Sequence, residues 1–103
     1  MNNKEFCIMP NNPPYWYNQR GYRMHRHEAM FGRRNRQKSI NDGLIVFLTP
    51  EMHTGTNGVH GKNGHQLDMQ IKKTAMMTWC AYYKKSHEEF MKRYHCKNYT
   101  EIV

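Results

Sequence analysis

The sequence predicts a small α+β protein with an extended N-terminal arm and two C-terminal helices, and three segments lead to this prediction. The apolar run GLIVFLTP lies between a glycine and a proline and has the β-branched composition of a strand. The segment HTGTNGVHGKNGH that follows is rich in glycine and asparagine, which is typical of a loop. From about Leu67 onward, apolar residues recur at steps of three and four, which indicates a helix.

The length and charge of the chain limit its class. A chain of 103 residues forms one domain with a single modest core. Within it we distinguish an arm over 1–20, a strand-and-loop part over 21–66 that holds the histidine motifs, and a helical part over 67–103. Sixteen Lys and Arg against eight Asp and Glu give a net charge of +8. This excess favours an anionic partner, nucleic acid before a membrane surface.

The lack of a recognisable targeting or membrane-spanning segment, together with the cysteine usage, leads us to expect an intracellular protein without a membrane partner. No apolar stretch approaches the roughly 20 residues that a membrane-spanning helix needs, and the N-terminal MNNKEFCIMP lacks the apolar core of a signal peptide. No C-x-x-C pair occurs among the three cysteines, Cys7, Cys80 and Cys96. We therefore predict free, reduced and partly buried thiols rather than a disulfide framework or a four-cysteine zinc site.

The first half of the chain predicts an arm followed by two strands. Three of the four prolines lie in residues 1–20, so this arm is expected to be extended and to dock on the core through Tyr15, Trp16 and Tyr17. Residues 21 to 27 are expected to form a short strand that leads to His27. The segment FGRRNRQKS is predicted to be a basic loop, and GLIVFLTP is predicted to be the second strand.

The second half predicts two helices. The apolar stripe of the first helix consists of Leu67, Ile71, Ala75, Thr78 and Tyr82. The pair Ser86 and Glu89 has the spacing of a capping box, in which each side chain bonds the backbone N–H of the other. A second, shorter helix is therefore expected to begin after Ser86.

Histidines are the most unusual feature of the composition. The chain has seven, and four of them lie between residues 24 and 60. A strand, a loop, a second strand and a helix can fold back so that the end of the first strand meets the start of the helix. This arrangement would bring His27 close to His53, His60 and His65. Neutral imidazole binds metal ions, and imidazole near its ordinary pKa of about 6.5 acts as a general base. Hydrolysis of a phosphodiester with one metal ion needs both chemistries.

Four segments occur in a distinctive order: RHEAMFGRRNRQKS, DGLIVFLTPEMHTGTNGVHG, a lysine-containing helix after His65, and KNYTE near the end. This order resembles the small HNH nuclease-like proteins encoded by phages and prophages, over about residues 24 to 100. The resemblance implies a ββα-metal core and a phage-type endonuclease or nickase that hydrolyses DNA. It also implies one divalent metal ion (Mg²⁺, Mn²⁺, Ni²⁺ or Zn²⁺) and, for a phage-encoded protein, the host cytoplasm as location.

The resemblance also implies roles for individual residues. His27 matches the histidine that acts as general base, and His53 with His60 matches the pair of which at least one holds the metal. The middle asparagine is either Asn35 or Asn57. We prefer Asn35 as the catalytic asparagine because it has the usual chain order, whereas Asn57 lies in the loop that joins the two histidines.

The basic run RRNRQK directly follows the first histidine motif. Arg and Lys make strong, sequence-independent contacts with phosphates, which suits a nuclease or a non-specific binder. We therefore expect DNA contacts from Arg33, Arg34, Arg36 and Lys38.

One departure from the resemblance concerns the metal site. Many of these proteins have two consecutive histidines in the first motif, the earlier of which is a metal ligand, whereas here Arg26 precedes His27. An arginine cannot ligate a cation. If a metal binds, the missing ligand must be His25, an acidic residue such as Glu28, or a water.

A second departure concerns the cysteine pairs that bind structural zinc in many of these proteins. The corresponding positions hold Cys7 with Pro10, and Thr49 with Met52, so we expect no structural zinc. Both departures favour an alternative function. This alternative is a catalytically inactive HNH-like module that binds nucleic acid, or a small phage-encoded inhibitor that binds a host protein.

Overall fold

A two-stranded antiparallel sheet and four α-helices make up the fold within residues 5–10 and 20–101, which the structure, a computed structural model, describes. The elements in chain order are β1 (His25–Glu28), α1 (Arg36–Asp42), β2 (Ile45–Leu48), α2 (Pro50–Thr54), α3 (His65–Tyr83), α4 (His87–Tyr94) and a 3₁₀ turn (Tyr99–Glu101). The α+β prediction is confirmed. The predicted docking of Tyr15, Trp16 and Tyr17 lies outside the described residues.

The sheet places the first histidine motif opposite the apolar strand. β1 and β2 pair in an antiparallel register that runs from His25 opposite Leu48 to Glu28 opposite Ile45. Side chains alternate between the two faces of a strand. His25 and His27 therefore lie on one face of β1, and Arg26 and Glu28 lie on the other.

Helix α1 occupies part of the segment that was predicted to be a basic loop, so that prediction is wrong from Arg36 onward. The helix ends at Gly43, whose positive φ of 78° lets its N–H bond the carbonyls of Ile40 and Ser39. The buried hydroxyl of Ser39 donates to the carbonyl of Leu44 (2.6 Å) and accepts from the N–H of Met30 (3.2 Å). Tertiary hydrogen bonds of Ser39 thus stabilise α1, although the charged and polar composition of this segment does not predict a helix.

The two predicted C-terminal helices are present as α3 and α4, and they pack against each other. The ring of Trp79 on α3 meets the ring of Phe90 on α4 edge to face, with centroids 5.4 Å apart. Ser86 caps α4 through the predicted box, since its hydroxyl accepts from the N–H of Glu89 (3.1 Å) and its N–H donates to the carboxylate of Glu89 (2.7 Å). Tyr82 departs from the predicted buried stripe, because 57 % of it is exposed.

A buried carboxylate joins three of the helices. The carboxylate of Asp42, at the end of α1, accepts hydrogen bonds from the indole of Trp79 (2.9 Å), the hydroxyl of Tyr94 (2.6 Å) and two guanidinium nitrogens of Arg93 (2.7 and 2.9 Å). The Asp42 carbonyl accepts a further bond from the hydroxyl of Tyr83 (2.9 Å). Burial and the bond to Asp42 both raise the pKa of Tyr94. The same carboxylate raises the pKa of Arg93.

The cysteine prediction is confirmed, because Cys7, Cys80 and Cys96 are all free and half-buried. Burial raises the pKa of the Cys80 and Cys96 thiols, which keeps both protonated near neutral pH. Among the helices of the described ranges, no segment has the length and apolar character that crossing a bilayer requires.

Replacement of Asp42 by asparagine should destabilise the fold. The amide lacks the charge that balances Arg93 and directs N–H groups at hydrogen-bond donors. We expect the free energy of unfolding to fall by about 2 to 3 kcal/mol, less than for a fully buried pair because the Arg93 side chain is 38 % exposed. Urea unfolding measures the change. The control Glu88→Gln alters an exposed carboxylate on α4 and should leave the midpoint unaltered. Equal midpoints for Asp42→Asn and wild type would contradict the assignment.

Candidate metal centre

Three histidines from separate segments converge at one end of the sheet. His27, His53 and His60 each offer a nitrogen that could ligate a metal ion, and these atoms all lie within 4.8 Å of one another. The ring centroids are 5.1 Å apart for His27 and His60, 5.4 Å for His27 and His53, and 4.9 Å for His53 and His60. The structure therefore brings together the general-base candidate and both metal-ligand candidates. We call these three residues the histidine triad.

Strand β1 holds His27 in the interior of the protein. The residue pairs with Val46 in the sheet and is only 1 % exposed. Its Nε2 atom is buried and has no hydrogen-bond partner among the described residues. A buried ring nitrogen without a partner is unfavourable by about 1 to 3 kcal/mol, so this atom would gain from a ligand.

Helix α2 positions His53. The N-cap is Thr49, whose hydroxyl accepts from the N–H of Met52 (3.2 Å), and Pro50 takes the first helical position, where its missing N–H costs nothing. The N–H of His53 then bonds the carbonyl of Thr49 (3.0 Å). A Thr-Pro pair that ends a strand thus starts a one-turn helix and directs the half-buried His53 back toward β1.

The glycine-rich loop positions His60 by folding back onto α2. The N–H of His60 donates to the carbonyl of His53 (3.0 Å), and the N–H of the buried Val59 donates to the carbonyl of Met52 (2.8 Å). At Gly64 a side chain is excluded, because a Cβ there would overlap the carbonyl oxygen of Gly58. The glycines therefore allow the tight turns that bring His60 beside His53.

Two members of the triad, His27 and His53, lie in surroundings that lower their pKa and so favour the neutral imidazole. Burial lowers the pKa of His27 from 6.5 to about 3, and His60, His53 and Lys72 act in the same direction. Burial also lowers the pKa of His53, with further lowering from His60 and His25. Neutral imidazole is the form that binds metal. A pKa of about 3 makes His27 a weak base, so the general-base role stays a prediction while the environment favours a ligand role.

A fourth histidine, His25, lies against the triad. Its Nδ1 atom is 3.1 Å from Nδ1 of His53, and the two rings meet edge to face with centroids 5.2 Å apart. Strand alternation puts His25 on the same face of β1 as His27. The other nearby candidate, His65, is exposed at the first position of α3 and is not a member of the triad.

An aromatic ring and a lysine border the triad. Phe31 packs against His27 and His60, with ring centroids 5.5 and 4.9 Å apart. The ammonium of Lys72 lies 4.1 Å from the centroid of the Phe31 ring and is paired with Asp68 at 2.9 Å. One side of the site is thus apolar, and the ion pair of Lys72 with Asp68 lies just beyond it.

Neither asparagine candidate has a hydrogen bond to the triad among those of the described residues. The amide of Asn35 donates to the carbonyl of Tyr94 at the end of α4 (2.9 Å), and the Oδ1 atom of Asn57 accepts from Asn63 (3.2 Å). Both side chains therefore support the packing of neighbouring segments. The choice between them as a catalytic asparagine stays open.

The four predicted phosphate-binding residues differ in their surroundings. Arg33 and Arg34 are exposed in the turn before α1. Arg36 pairs with Glu28 (3.0 Å) but keeps 65 % of its side chain exposed. The ammonium of Lys38 donates to the carbonyl of Arg93 (2.8 Å) and is partly used in holding α4.

Ion pairs on the opposite face of β1 occupy Arg26 and Glu28. The guanidinium of Arg26 contacts Glu5 (2.8 Å) and Glu28 (3.4 Å). Glu28 is therefore paired with Arg26 and Arg36, and its charge acts on the triad by partly opposing the lowering of the His53 pKa. Of the alternatives for the missing ligand, His25 is the side chain that reaches the site.

No protein-family model matches this sequence, and the comparisons with curated proteins and with solved structures found no match either.

The metal-free protein should lose stability as the pH falls below 6.5. His27 is neutral in the folded state down to about pH 3, whereas in the unfolded chain it takes up a proton near pH 6.5. This difference stabilises the unfolded state by about 2 kcal/mol at pH 5 relative to pH 7 or above. Urea unfolding at a series of pH values, with a chelator present, measures the effect.

The variant His27→Gln removes the titrating group and should reduce this pH dependence. The matched control is His87→Gln, which alters an exposed histidine on α4 and should keep the wild-type dependence. A wild-type stability that stays level between pH 7 and pH 5 would contradict the buried, neutral state of His27.

Proposed function

We propose that His27, His53 and His60 bind one divalent transition-metal ion, and that the protein uses this site to hydrolyse phosphodiester bonds in DNA. The observation that carries the proposal is the Nε2 atom of His27, which is buried without a hydrogen-bond partner among the described residues, in a residue grouped with two further imidazoles. We further propose that β1, β2 and the helical segment after them form a ββα-metal core of the HNH type.

The donor set fits a borderline-soft ion better than a hard one. Imidazole nitrogens suit Zn²⁺, Ni²⁺, Cu²⁺ and Fe²⁺, whereas Mg²⁺ prefers oxygen ligands. Three protein ligands are also the usual number in catalytic zinc sites, where a fourth position stays open for substrate or water. Of the four ions that the sequence resemblance implies, Zn²⁺ and Ni²⁺ are therefore favoured.

Such an ion supplies Lewis-acid stabilisation of the negative charge that develops on a phosphoryl group during hydrolysis. The chain's own residues prepare the site. The lowered pKa of His27 and His53 keeps both rings neutral and able to ligate. Phe31 covers one side of the triad, and the ammonium of Lys72, which is paired with Asp68, lies 4.1 Å from that ring.

The basic turn before α1 supplies exposed positive charge for contacts to a DNA backbone. Phe31 contacts the triad, and Arg33 and Arg34 follow it in the chain as exposed side chains. The side chains of Asn35 and Lys38 bond the last carbonyls of α4 and so hold the turn against the helix. The two arginines are therefore presented close to the site by an anchored segment, which suits contacts to phosphates on either side of a cut.

A second candidate function is a metal-containing module that binds nucleic acid without cutting it. The pKa of about 3 for His27 favours this candidate. If His27 is a ligand, the site lacks the general base that the resemblance implies, and hydrolysis would need another proton acceptor.

Metal binding and cleavage should depend on the triad. We expect wild-type protein to bind Zn²⁺ or Co²⁺ and to nick supercoiled plasmid with Zn²⁺ or Ni²⁺ more efficiently than with Mg²⁺. His53→Ala and His60→Ala each remove a ligand and should weaken metal affinity on the order of 100-fold or more. Calorimetric titration measures binding, and gel separation of nicked and closed circles measures cleavage.

The control for this experiment is His65→Ala, which removes an exposed histidine outside the triad and should behave like the wild type. Metal binding and DNA binding without nicking would favour the second candidate. A wild-type protein that binds no transition-metal ion would contradict the proposed centre, and binding to neither metal nor DNA would indicate a protein partner.

DNA binding should weaken when the basic turn loses its charge. The double variant Arg33→Ala/Arg34→Ala removes two phosphate contacts, so the slope of log affinity against log salt should become shallower by about 2. Fluorescence anisotropy with a labelled duplex at several salt concentrations measures the slope. Lys85→Ala/Lys92→Ala deletes two exposed cations near α4 as a matched control and should leave the slope unchanged. Equal losses in both double variants would argue against a specific role of the turn.

A further inference from the structure

His25 lies outside the triad, and its side chain contacts the side chain of His53 at hydrogen-bond distance. Its Nδ1 atom lies 3.1 Å from Nδ1 of His53, at a ring angle of 85°. Both residues are half-buried, so water competes less for this contact than at the surface. The pairing is long-range, because 28 positions separate the two residues in the chain. The antiparallel sheet and α2 therefore have to be formed before it can exist.

Two imidazole nitrogens at this distance share one hydrogen atom. In a neutral imidazole one nitrogen carries the proton and the other accepts. If His53 donates from Nδ1, its Nε2 atom has a free lone pair. If His25 donates instead, His53 carries its own proton on Nε2 and that nitrogen cannot ligate. The direction of this one hydrogen bond thus decides whether His53 is competent to bind a metal ion.

We propose that His25 is a positioning residue, which accepts the Nδ1–H of His53 and so leaves the Nε2 atom of His53 free for the ion of the histidine triad. This inference rests on the proposed metal centre. Ligating histidines commonly donate their second N–H to a fixed acceptor, which sets the tautomer and the ring orientation. Here the acceptor is another imidazole rather than a carboxylate or a carbonyl.

The grouping of the four histidines supports a positioning role over direct ligation. The donor atoms of His27, His53 and His60 lie within 4.8 Å of one another, and His25 is not part of that group. The position next to His27 holds Arg26, which is turned to the other face of β1 by its ion pairs with Glu5 and Glu28. His25 therefore contacts the site through His53.

Two substitutions of His25 separate an acceptor role from a packing role. His25→Ala removes the acceptor. His25→Asn restores one, since the amide oxygen of asparagine extends from Cβ about as far as Nδ1 does in histidine. The measurements are the tautomer of His53, from ¹⁵N–¹H correlation spectra of the metal-free protein, and the affinity for Zn²⁺, from competition with a chromophoric chelator. Thermal unfolding checks that each variant is folded.

In the wild type we expect His53 to populate the Nδ1–H tautomer. His25→Ala should give a mixture of tautomers and a 10- to 100-fold loss of Zn²⁺ affinity. His25→Asn should recover the single tautomer and most of the affinity. The control His65→Ala alters an exposed histidine that belongs neither to the triad nor to its contact with His25, and it should match the wild type in both measurements.

Three results would overturn the inference. The first is a wild-type His53 that carries its proton on Nε2. The second is Zn²⁺ affinity in His25→Ala equal to that of the wild type. The third is loss of binding in both His25 variants as complete as in His27→Ala, which would make His25 a direct ligand. A wild-type protein that binds no Zn²⁺ would overturn the metal centre itself, and the tautomer measurement would then decide the contact between His25 and His53 independently.

Discussion

The arrangement of the helices and the sheet depends on the hydrogen bonds that the buried carboxylate of Asp42 accepts. It accepts hydrogen bonds from Trp79 on α3 and from Arg93 and Tyr94 on α4, while belonging to α1 itself. The next residue, Gly43, ends α1 and directs the chain toward β2. The carbonyl of Gly43 also accepts a hydrogen bond from the N–H of Ile8 (2.9 Å). A charge buried this way is stable only when its partners are in place, so the position of β2 is coupled to the packing of both long helices.

The start of β2 in turn determines where the candidate metal centre forms. β2 pairs with β1, which buries His27, and it leads directly into α2, which carries His53. The glycine-rich loop then closes on α2 and delivers His60. Burial of His27 is unfavourable in the absence of a ligand, because its Nε2 atom has no hydrogen-bond partner among the described residues. Ligation would remove this penalty, so metal binding and folding would stabilise each other.

The same packing connects α4 to the basic turn. Asn35 and Lys38 bond the final carbonyls of α4, which a helix end otherwise leaves without partners. Asn35, the preferred candidate for the catalytic asparagine, and Lys38, a predicted phosphate contact, thus also help to terminate a helix. Arg33 and Arg34, which lie beside these anchors, keep the exposure that contact with an anionic partner requires.

The sequence by itself determined the local features: the β2 strand, the glycine-rich loop, the long helix, the capping box of α4 and the small set of histidines suited to one site. Short-range physics is sufficient for these, since strand composition, turn residues and capping depend on neighbours in the chain. The tertiary structure decided the rest. Helix α1 depends on the buried Ser39, and the bond of Asn35 spans 59 positions to Tyr94. The contact of His25 with His53 spans 28 positions, and no local pattern reports which of several histidines will meet once the sheet has formed.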